Sequence, residues 1–243
     1  MAISIYSLYN YVVSNRKISF TEGEYYHIYN RGNSKQKIFL DKSDYVYFMK
    51  LLYCSNTYKN FTFREDITKK NIDAFDFDRG QALVDIGAWV LMPNHFHIYL
   101  TISHKSDLWL KKDKNAVSEF MRKISTAYAK YFNTKYSRTG GLFEGKFKAT
   151  HITKDNQARY LFSYIHLNPI KLIDSTWKED GIKDIKKALA FLETYKWNSY
   201  VDFINPNIRK EFKILELKSF PKYFLNLKDF NKEILTWLEY KEI

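Results

Sequence analysis

With 243 residues, 45% of them hydrophobic and 27% charged, the chain is long enough to bury a sizeable core, and its composition excludes a disordered or low-complexity protein. The lone Cys54 excludes an intramolecular disulfide, and the N-terminus lacks the pattern of a secretory signal, so we expect a cytoplasmic protein. The longest uncharged stretch, residues 87–103, is split by Pro93-Asn94 and contains two histidines, which favours a pair of strands over a membrane helix.

The net charge of +12 is unevenly distributed along the chain. Residues Lys111 to Lys171 contain 13 Lys or Arg and 4 Asp or Glu, a net charge of +9 in a quarter of the sequence. A localised basic field attracts polyanions, of which nucleic acid is the commonest, although a solvated lysine-rich surface is the alternative. Aromatic residues make up 18% of the chain and most of them are expected in the core.

The first half of the chain predicts three strands and one helix. An aromatic and β-branched run from Glu24 to Arg31 predicts the first strand. Ser43 is expected to cap a helix that extends to about residue 56, because apolar residues then recur at helical spacing. After a polar connection, Ala82 to Leu91 and His95 to Ile102 predict two strands, which Met92-Pro93-Asn94 joins into a hairpin.

The next segment completes one folding unit. Asp113 is expected to cap an amphipathic helix whose polar face is basic. A fourth strand is predicted over Gly145 to Ile152, and a third helix over Asp155 to about Asn168, ended by Pro169. The order βαββαβ predicts an α+β fold of the ferredoxin-like type, a four-stranded antiparallel sheet with helices on one face.

We expect three regions along the chain. Residues 1–20 form an N-terminal extension, residues 21–172 form the ferredoxin-like domain, and residues 173–243 form an α-helical C-terminal extension. Within that extension the apolar spacing predicts helices over Asp184 to Tyr195 and Asp229 to Tyr240.

The triplet His95-Phe96-His97 offers two nitrogen donors on one face of the third strand. Because side chains alternate along a strand, both imidazoles point to the same side while Phe96 points to the other. Such a pair can bind a divalent cation, but a metal site needs at least a third ligand. Packing or surface histidines are the alternative interpretation.

Tyr164 and Asn168 are four positions apart on the predicted third helix and therefore share a helical face. A phenol and an amide oxygen can then reach one site together. A ligand set of two histidines and one amide is neutral, which leaves the full charge of Mg²⁺ or Mn²⁺ to polarise a phosphate oxygen. The alternatives are a tyrosine in the core and an asparagine that only ends the helix.

Five blocks of sequence occur between about residues 24 and 200: Tyr25 to Gly32, Met92-Pro93-Asn94-His95-Phe96-His97, Arg138-Thr139-Gly140 followed by Leu142 to Lys148, Tyr164 to Lys171, and Lys196-Trp197-Asn198-Ser199-Tyr200. In content and order these blocks resemble the single-tyrosine HUH transposases, and among them the REP-associated tyrosine transposases. One block would be weak, whereas five in order with compatible spacing are a specific signal. Residues 1–20 and about 205–243 lie outside the resemblance.

The resemblance implies a ferredoxin-like nuclease that acts on single-stranded DNA, expected to be a hairpin or palindromic repeat. His95 and His97 would bind Mg²⁺ or Mn²⁺, Asn168 would be the third ligand, and Tyr164 would be the nucleophile. Enzymes of this kind store the phosphodiester bond as a 5′-phosphotyrosine and later rejoin the strand through the free 3′-hydroxyl. Gly140 to Lys146 has the spacing Gly-x-x-x-x-Gly-Lys, but Phe147 follows where an ATP-binding loop requires Ser or Thr, and the implied reaction needs no ATP.

The basic side chains expected to contact DNA phosphates are Arg31, Arg122, Lys123, Arg138, Lys146 and Lys148. His27, on the first strand, can flank the metal, but a core or surface position is the favoured interpretation. We expect no membrane partner and we expect the protein to associate with the nucleoid. The sequence is compatible with a monomer or a homodimer.

Two other functions use the same pattern. An RRM-like nucleic-acid-binding module without catalysis shares the βαββαβ order, but its central strand carries a basic, glycine and aromatic motif where this chain has His95, His97 and Tyr99. A zinc hydrolase can use a His-x-His pair, but its usual additional ligand nearby in sequence is missing.

Overall fold

A computed structural model of the chain describes residues 18–103, 116–221, 230–232, 234 and 236. The strands are β1 (Tyr25–Arg31), β2 (Val84–Met92), β3 (His95–Ile102) and β4 (Lys148–Ile152). The α-helices are α1 (Lys42–Cys54), α2 (Ala116–Lys135), α3 (Asp155–Leu167), α4 (Trp177–Asp180), α5 (Ile185–Thr194) and α6 (Tyr200–Ile204). Short 3₁₀ helices cover Asn33–Lys35, Ala74–Asp76, Asn168–Leu172, Lys210–Ile214 and Leu217–Ser219, and a π-helical segment covers Arg64–Thr68.

The four strands form one antiparallel sheet in the order β2-β3-β1-β4. This order, with α1 after β1 and α2 after β3, is that of two interleaved βαβ units and confirms the predicted ferredoxin-like fold. The two central strands, β3 and β1, pair so that His97 lies opposite Tyr29 and His95 lies opposite Arg31.

One face of the sheet is covered by α1 and α2, the two helices of the βαββαβ unit, as predicted. Alternate residues of β3, Phe96 and Ile98, belong to a fully buried core that also contains Phe48 of α1 and Phe120 of α2. The rings of Phe48 and Phe96 lie 5.1 Å apart between centroids. This apolar layer supports the strand that carries the two histidines.

The opposite face is covered by α3 and by segments that follow it. Val90 and Tyr99 of the sheet pack in a second core with Ile165 of α3 and with Phe220. Gly87 lies at an irregularity of β2, and a Cβ atom there would come within 2.7 Å of the Phe220 ring, so only glycine admits this contact. Residues after 172 therefore pack on the same sheet as the predicted domain.

Several element ends differ from the sequence prediction. Asp41, and not Ser43, caps α1, because its carboxylate accepts from the backbone N–H groups of Ser43 and Asp44 in a capping box. Strand β4 begins at Lys148, since Gly145 adopts φ 66° in a turn. The helix predicted over Asp184 to Tyr195 is present as α5, and the Asp184 side chain caps it by accepting from the backbone N–H of Lys187.

Two predictions of caps and helices fall partly beyond the described residues. Asp113 lies outside them, and within Asp229 to Tyr240 only residues 230–232, 234 and 236 are described, in helical conformation. In the described part of the chain, no helix combines the length and apolarity needed to cross a bilayer.

Candidate active site

The two histidines of β3 lie on the face of the sheet opposite α1 and α2. The ring centroids of His95 and His97 are 5.0 Å apart with an interplanar angle of 81°. His97 is buried, with 6% of its surface exposed, and His95 is partly exposed. The alternation of side chains along β3 thus brings both imidazoles to one side, at the edge of a covered surface.

Helix α3 crosses this face and brings Tyr164 to the histidines. The Tyr164 ring stands edge-on to the His97 ring, with centroids 5.3 Å apart. One turn earlier on the helix, the ring of Tyr160 stacks on Tyr164 at 6.0 Å. Because these contacts occur within one chain, the histidines and the tyrosine meet without a second subunit.

Asn168 follows one helical turn after Tyr164 and has helical backbone angles, φ −51° and ψ −39°. Its side chain therefore leaves the same face of the helix. Asn168 is 3% exposed, and its buried Oδ1 has no hydrogen-bond partner among the described residues. A buried carbonyl oxygen without a donor is costly unless a cation or water satisfies it. This orphan oxygen fits the third position of a metal site.

The donors available to a cation beside Tyr164 would be two histidines and an amide. No group of three or more His, Cys, Asp or Glu side chains suited to a metal ion occurs in the described residues. Carbonyl oxygens suit Mg²⁺ and Mn²⁺, while imidazole also suits softer metals such as zinc. Selection of Mg²⁺ or Mn²⁺ over softer metals would therefore depend on the Asn168 oxygen.

A buried hydrogen-bond network anchors α3 to the sheet close to Tyr164. His166 Nδ1 donates to the carbonyl of Phe162 over 2.8 Å, and its Nε2 lies 2.9 Å from the hydroxyl of Ser199. The same hydroxyl accepts from the backbone N–H of Trp89 on β2 over 3.0 Å, and Asn198 donates to the carbonyl of His166. Burial lowers the pKa of His166 to about 3, an effect that the hydrogen bond to Phe162 partly offsets. A neutral His166 is therefore built into the helix anchor.

This network gives a structural role to the block from Lys196 to Tyr200, whose sequence did not indicate one. The segment from Lys196 to Tyr200 supplies the Ser199 and Asn198 side chains that tie α3 to β2. Its backbone also joins the strand, since Leu91 N–H donates to the carbonyl of Trp197 and Ser199 N–H donates to that of Trp89. The segment therefore positions the helix that carries Tyr164.

Two further side chains contact the histidine pair. His27 Nε2 lies 2.8 Å from His97 Nδ1, and Asn94 Oδ1 lies 2.6 Å from His95 Nδ1. His27 is buried, as a core position requires, and its contact with His97 also places it beside the histidine pair. Asn94 was part of a recognised motif without an assigned role. Since His27 and His97 are on neighbouring strands, only the strand pairing reveals their contact.

Tyr29 is a neighbour of the site that sequence reasoning missed. It lies opposite His97 in the register of β1 and β3, with ring centroids 5.8 Å apart. Burial raises the pKa of Tyr29, and a hydrogen bond with Thr150 offsets part of that rise. The signal that could have found it is the two-residue period of β1, which places Tyr29 on the same face as His27.

Three of the six predicted phosphate contacts have partners within the protein. Arg31 forms a two-pronged ion pair with Glu144. Arg122 pairs with Glu119 on its own helix, with Nη2 2.7 Å from Oε1. Lys123 donates to the backbone carbonyls of Thr57 and Lys59, and burial lowers its pKa. Arg122 and Lys123 belong to α2, which packs on the other face of the sheet from the histidines.

The other three predicted contacts are Lys148, Lys146 and Arg138. Lys148 lies opposite Tyr29 in the sheet, and Tyr29 lies opposite His97, so the three side chains form one row across β4, β1 and β3. Lys146 is exposed in the turn before β4, and the guanidinium of Arg138 lies 5.5 Å from the ring of Phe132.

A cluster that we call the basic edge combines Arg31, Lys35 and Lys148 around Glu144. The hydrogen bond from Arg31 lowers the pKa of Glu144, and the charges of Arg31, Lys148 and Lys35 lower it further. Three cations therefore surround one carboxylate beside His95, which leaves an excess of positive charge at this end of the site.

The sheet does not offer an open stacking surface of the RRM type. Tyr99, at the centre of β3, is fully buried, and the ring of Phe220 covers it at 5.0 Å. The ring of Tyr25 is also in contact with Phe220, at 5.5 Å. Bases could stack on these rings only if the covering segment left the sheet.

Comparisons with known proteins give distant similarities. No protein-family model and no curated protein matches the chain. A solved structure of a REP-associated tyrosine transposase bound to a REP hairpin matches with a TM-score of 0.46 and 14% identity, over 81% of this chain and 88% of that chain. A candidate transposase from Deinococcus radiodurans matches with a TM-score of 0.32 and 11% identity, over 62% of this chain and 93% of that chain. At such distances, function has to be argued from the residues of the site.

Proposed function

We propose that the chain is a metal-dependent transposase and endonuclease of single-stranded DNA, which cleaves and rejoins strands through a 5′-phosphotyrosine intermediate. One observation carries the proposal: Tyr164 meets His97 within the same chain, and the unpartnered oxygen of Asn168 follows one turn later on the same helix. A tyrosine in contact with one of two neighbouring imidazoles, followed one turn later by an orphan carbonyl oxygen, supports the constellation that the HUH resemblance implies.

His95, His97 and Asn168 would hold the cation. A bound Mg²⁺ or Mn²⁺ supplies Lewis-acid polarisation of the scissile phosphate. The three ligands are neutral in their metal-binding forms, so they do not offset the charge of the cation. Burial of His97 and Asn168 lowers the local dielectric and strengthens the interaction of the site with a phosphate.

The chemical step is a transesterification. The Tyr164 oxygen loses its proton and forms a bond to phosphorus, while the bond from phosphorus to the 3′-oxygen breaks and that oxygen leaves as a hydroxyl. The number of phosphodiester bonds is conserved, so no ATP is consumed. Attack of a 3′-hydroxyl on the phosphotyrosine reverses the step and rejoins a strand.

The substrate is held by charge around the site. The positive charge of the basic edge and the exposure of Lys146 support contacts of these residues with DNA phosphates near the site. We expect the DNA to be a single strand with a hairpin or palindromic repeat, and the protein to act in the cytoplasm in association with the nucleoid. A monomer suffices for the chemistry, because Tyr164 and His97 of one chain are in contact.

Covalent capture tests this proposal. The protein is incubated with a pool of single-stranded hairpin oligonucleotides and Mg²⁺ or Mn²⁺, denatured, and the attached DNA is sequenced. Peptide mapping by mass spectrometry then identifies the modified tyrosine, which we expect to be Tyr164. Binding of the pool without any adduct, under every metal tested, would leave only a DNA-binding module of this fold and would refute the proposed activity.

A further inference from the structure

Both site histidines are hydrogen-bonded through the same ring nitrogen, Nδ1. Asn94 Oδ1 contacts Nδ1 of His95 over 2.6 Å, and His27 Nε2 contacts Nδ1 of His97 over 2.8 Å. The partner of each Nδ1 matters, because a neutral imidazole carries one proton and its other nitrogen keeps the lone pair that binds a cation.

The orientation of the Asn94 amide determines the tautomer of His95. Asn94 Nδ2 donates to the backbone carbonyl of Lys35 over 3.1 Å, so its oxygen is the atom that faces His95. An amide oxygen only accepts hydrogen bonds. His95 Nδ1 must therefore carry the proton, and the lone pair of the neutral ring lies on Nε2.

The contact between His27 and His97 admits two arrangements. Either His97 Nδ1–H donates to His27, or His27 Nε2–H donates to His97. Only the first leaves the lone pair of His97 on Nε2, away from His27. In the second, a proton occupies the nitrogen that would face the cation.

We propose that Asn94 and His27 are positioning residues that hold His95 and His97 as Nδ1–H tautomers, so that both Nε2 lone pairs are directed at the cation between β3 and α3. The inference rests on the proposed function and extends it to two residues that would act through His95 and His97. Acceptors of this kind orient a ligating histidine and raise its basicity, and their loss typically weakens metal affinity by about 10- to 100-fold.

The tautomers can be measured without metal or DNA. Long-range ¹H–¹⁵N correlation spectra of the ¹⁵N-labelled, metal-free protein, recorded at a pH where imidazoles are neutral, distinguish a protonated from an unprotonated ring nitrogen. We expect a protonated Nδ1 and an unprotonated Nε2 for both His95 and His97. A protonated Nε2 on either ring would overturn the assignment for that histidine. Because the spectrum is recorded on the wild-type protein, it tests the tautomers even if a variant fails to fold.

Matched substitutions separate the acceptor from the packing. Asn94→Asp and His27→Gln keep an acceptor oxygen near the original atom, whereas Asn94→Ala and His27→Phe remove it. We expect Asn94→Ala and His27→Phe to weaken Mn²⁺ binding about 10- to 100-fold in calorimetric titrations. Asn94→Asp and His27→Gln should retain Mn²⁺ binding. His151→Phe is the control, because His151 pairs with Glu24 and stacks on Tyr26 at the other face of the sheet.

The outcomes keep the two proposals apart. Equal Mn²⁺ affinity of all four variants would overturn the positioning role, even if the protein forms the DNA adduct. The positioning role is supported if Asn94→Ala and His27→Phe lose the Nδ1–H tautomers while Asn94→Asp and His27→Gln keep them. If no adduct then forms with any DNA, only the proposed function fails.

Discussion

The ring of Tyr164 meets the ring of His97 edge-on, at 5.3 Å between centroids and an interplanar angle of 72°. The two residues are 67 positions apart in the sequence and belong to different elements, helix α3 and strand β3. Under the proposed function, this contact would bring the attacking oxygen and a cation ligand together within one chain. The first two predictions test the roles proposed for this pair.

Replacement of Tyr164 by phenylalanine removes the attacking oxygen and keeps the ring that packs against His97. We expect the covalent DNA adduct to disappear on denaturing gels, while affinity for single-stranded DNA, measured by fluorescence anisotropy, changes less than about 3-fold. Tyr160→Phe is the matched control one helical turn away, and it should still form the adduct. Adduct formation by Tyr164→Phe at the wild-type rate would reject Tyr164 as the nucleophile.

Cleavage should depend on a divalent cation held by His97. The His97→Ala protein is expected to lose at least about 10-fold in Mn²⁺ affinity, because one donor of the site is removed. DNA binding should persist, since phosphates are bound elsewhere. The measurements are Mn²⁺ titration and adduct yield, with His151→Ala as the control histidine. Full cleavage in excess EDTA would contradict a metal-dependent mechanism.

DNA affinity should fall steeply with salt, and the basic residues on the histidine side of the sheet should account for the slope. Each lysine that neutralises a phosphate of a single strand contributes about 0.7 to the slope of log K against log salt concentration. Lys146→Gln and Lys148→Gln should each reduce the slope by about that amount. Arg122→Gln is the control, because Arg122 already pairs with Glu119 on α2, and it should leave the slope unchanged. An equal effect of all three would contradict this location of the DNA.

Glu144 should weaken DNA binding, because it places a negative charge within the basic edge. We expect Glu144→Gln to free Arg31 for a phosphate contact and to raise affinity for single-stranded DNA by about 5-fold near 0.1 M salt, the gain from one additional counterion release. The salt slope should steepen, which anisotropy titrations at several salt concentrations will measure. Lower affinity in Glu144→Gln would mean that Glu144 organises Arg31 for binding.

Acid should destabilise the protein through Asp44, a fully buried carboxylate at the start of α1. Burial raises the pKa of Asp44, but hydrogen bonds from Lys135, Leu40 N–H and Tyr136 outweigh burial and lower it below its usual value. Because the folded pKa is lowered, the stabilisation is complete above the unfolded pKa of about 4 and is lost as pH falls below it.

Substitutions of Lys135 and Asp44 should show how much the buried charge of Asp44 contributes to stability. We expect Lys135→Met to reduce the free energy of unfolding at pH 7 by about 3 kcal/mol, since it leaves a buried carboxylate without its cation. Asp44→Asn should flatten the loss of stability below about pH 4. Urea denaturation at several pH values measures both effects. The exposed Asp78→Asn control should leave the midpoint unchanged, and an equal shift in Asp78→Asn would contradict the assignment.

The sequence by itself determined the features that depend on local periodicity. The two-residue period of a strand places His95 and His97 on one face, and the 3.6-residue period of a helix places Tyr164 and Asn168 on one face. The bounds of β3 and the position of α5 agree with the prediction because apolar spacing acts over a few residues. The order of strands and helices was enough to predict the ferredoxin-like sheet.

Only the tertiary structure decided which side chains of different elements meet. The pairing of β1 with β3 brings His27 to His97, and the packing of α3 on the sheet brings Tyr164 to the same ring. Arg122 and Lys123 look like phosphate contacts in the sequence, but α2 lies across the sheet from the histidines and both side chains have partners there. Contacts between residues distant in sequence follow from burial of the whole core, which no local period encodes.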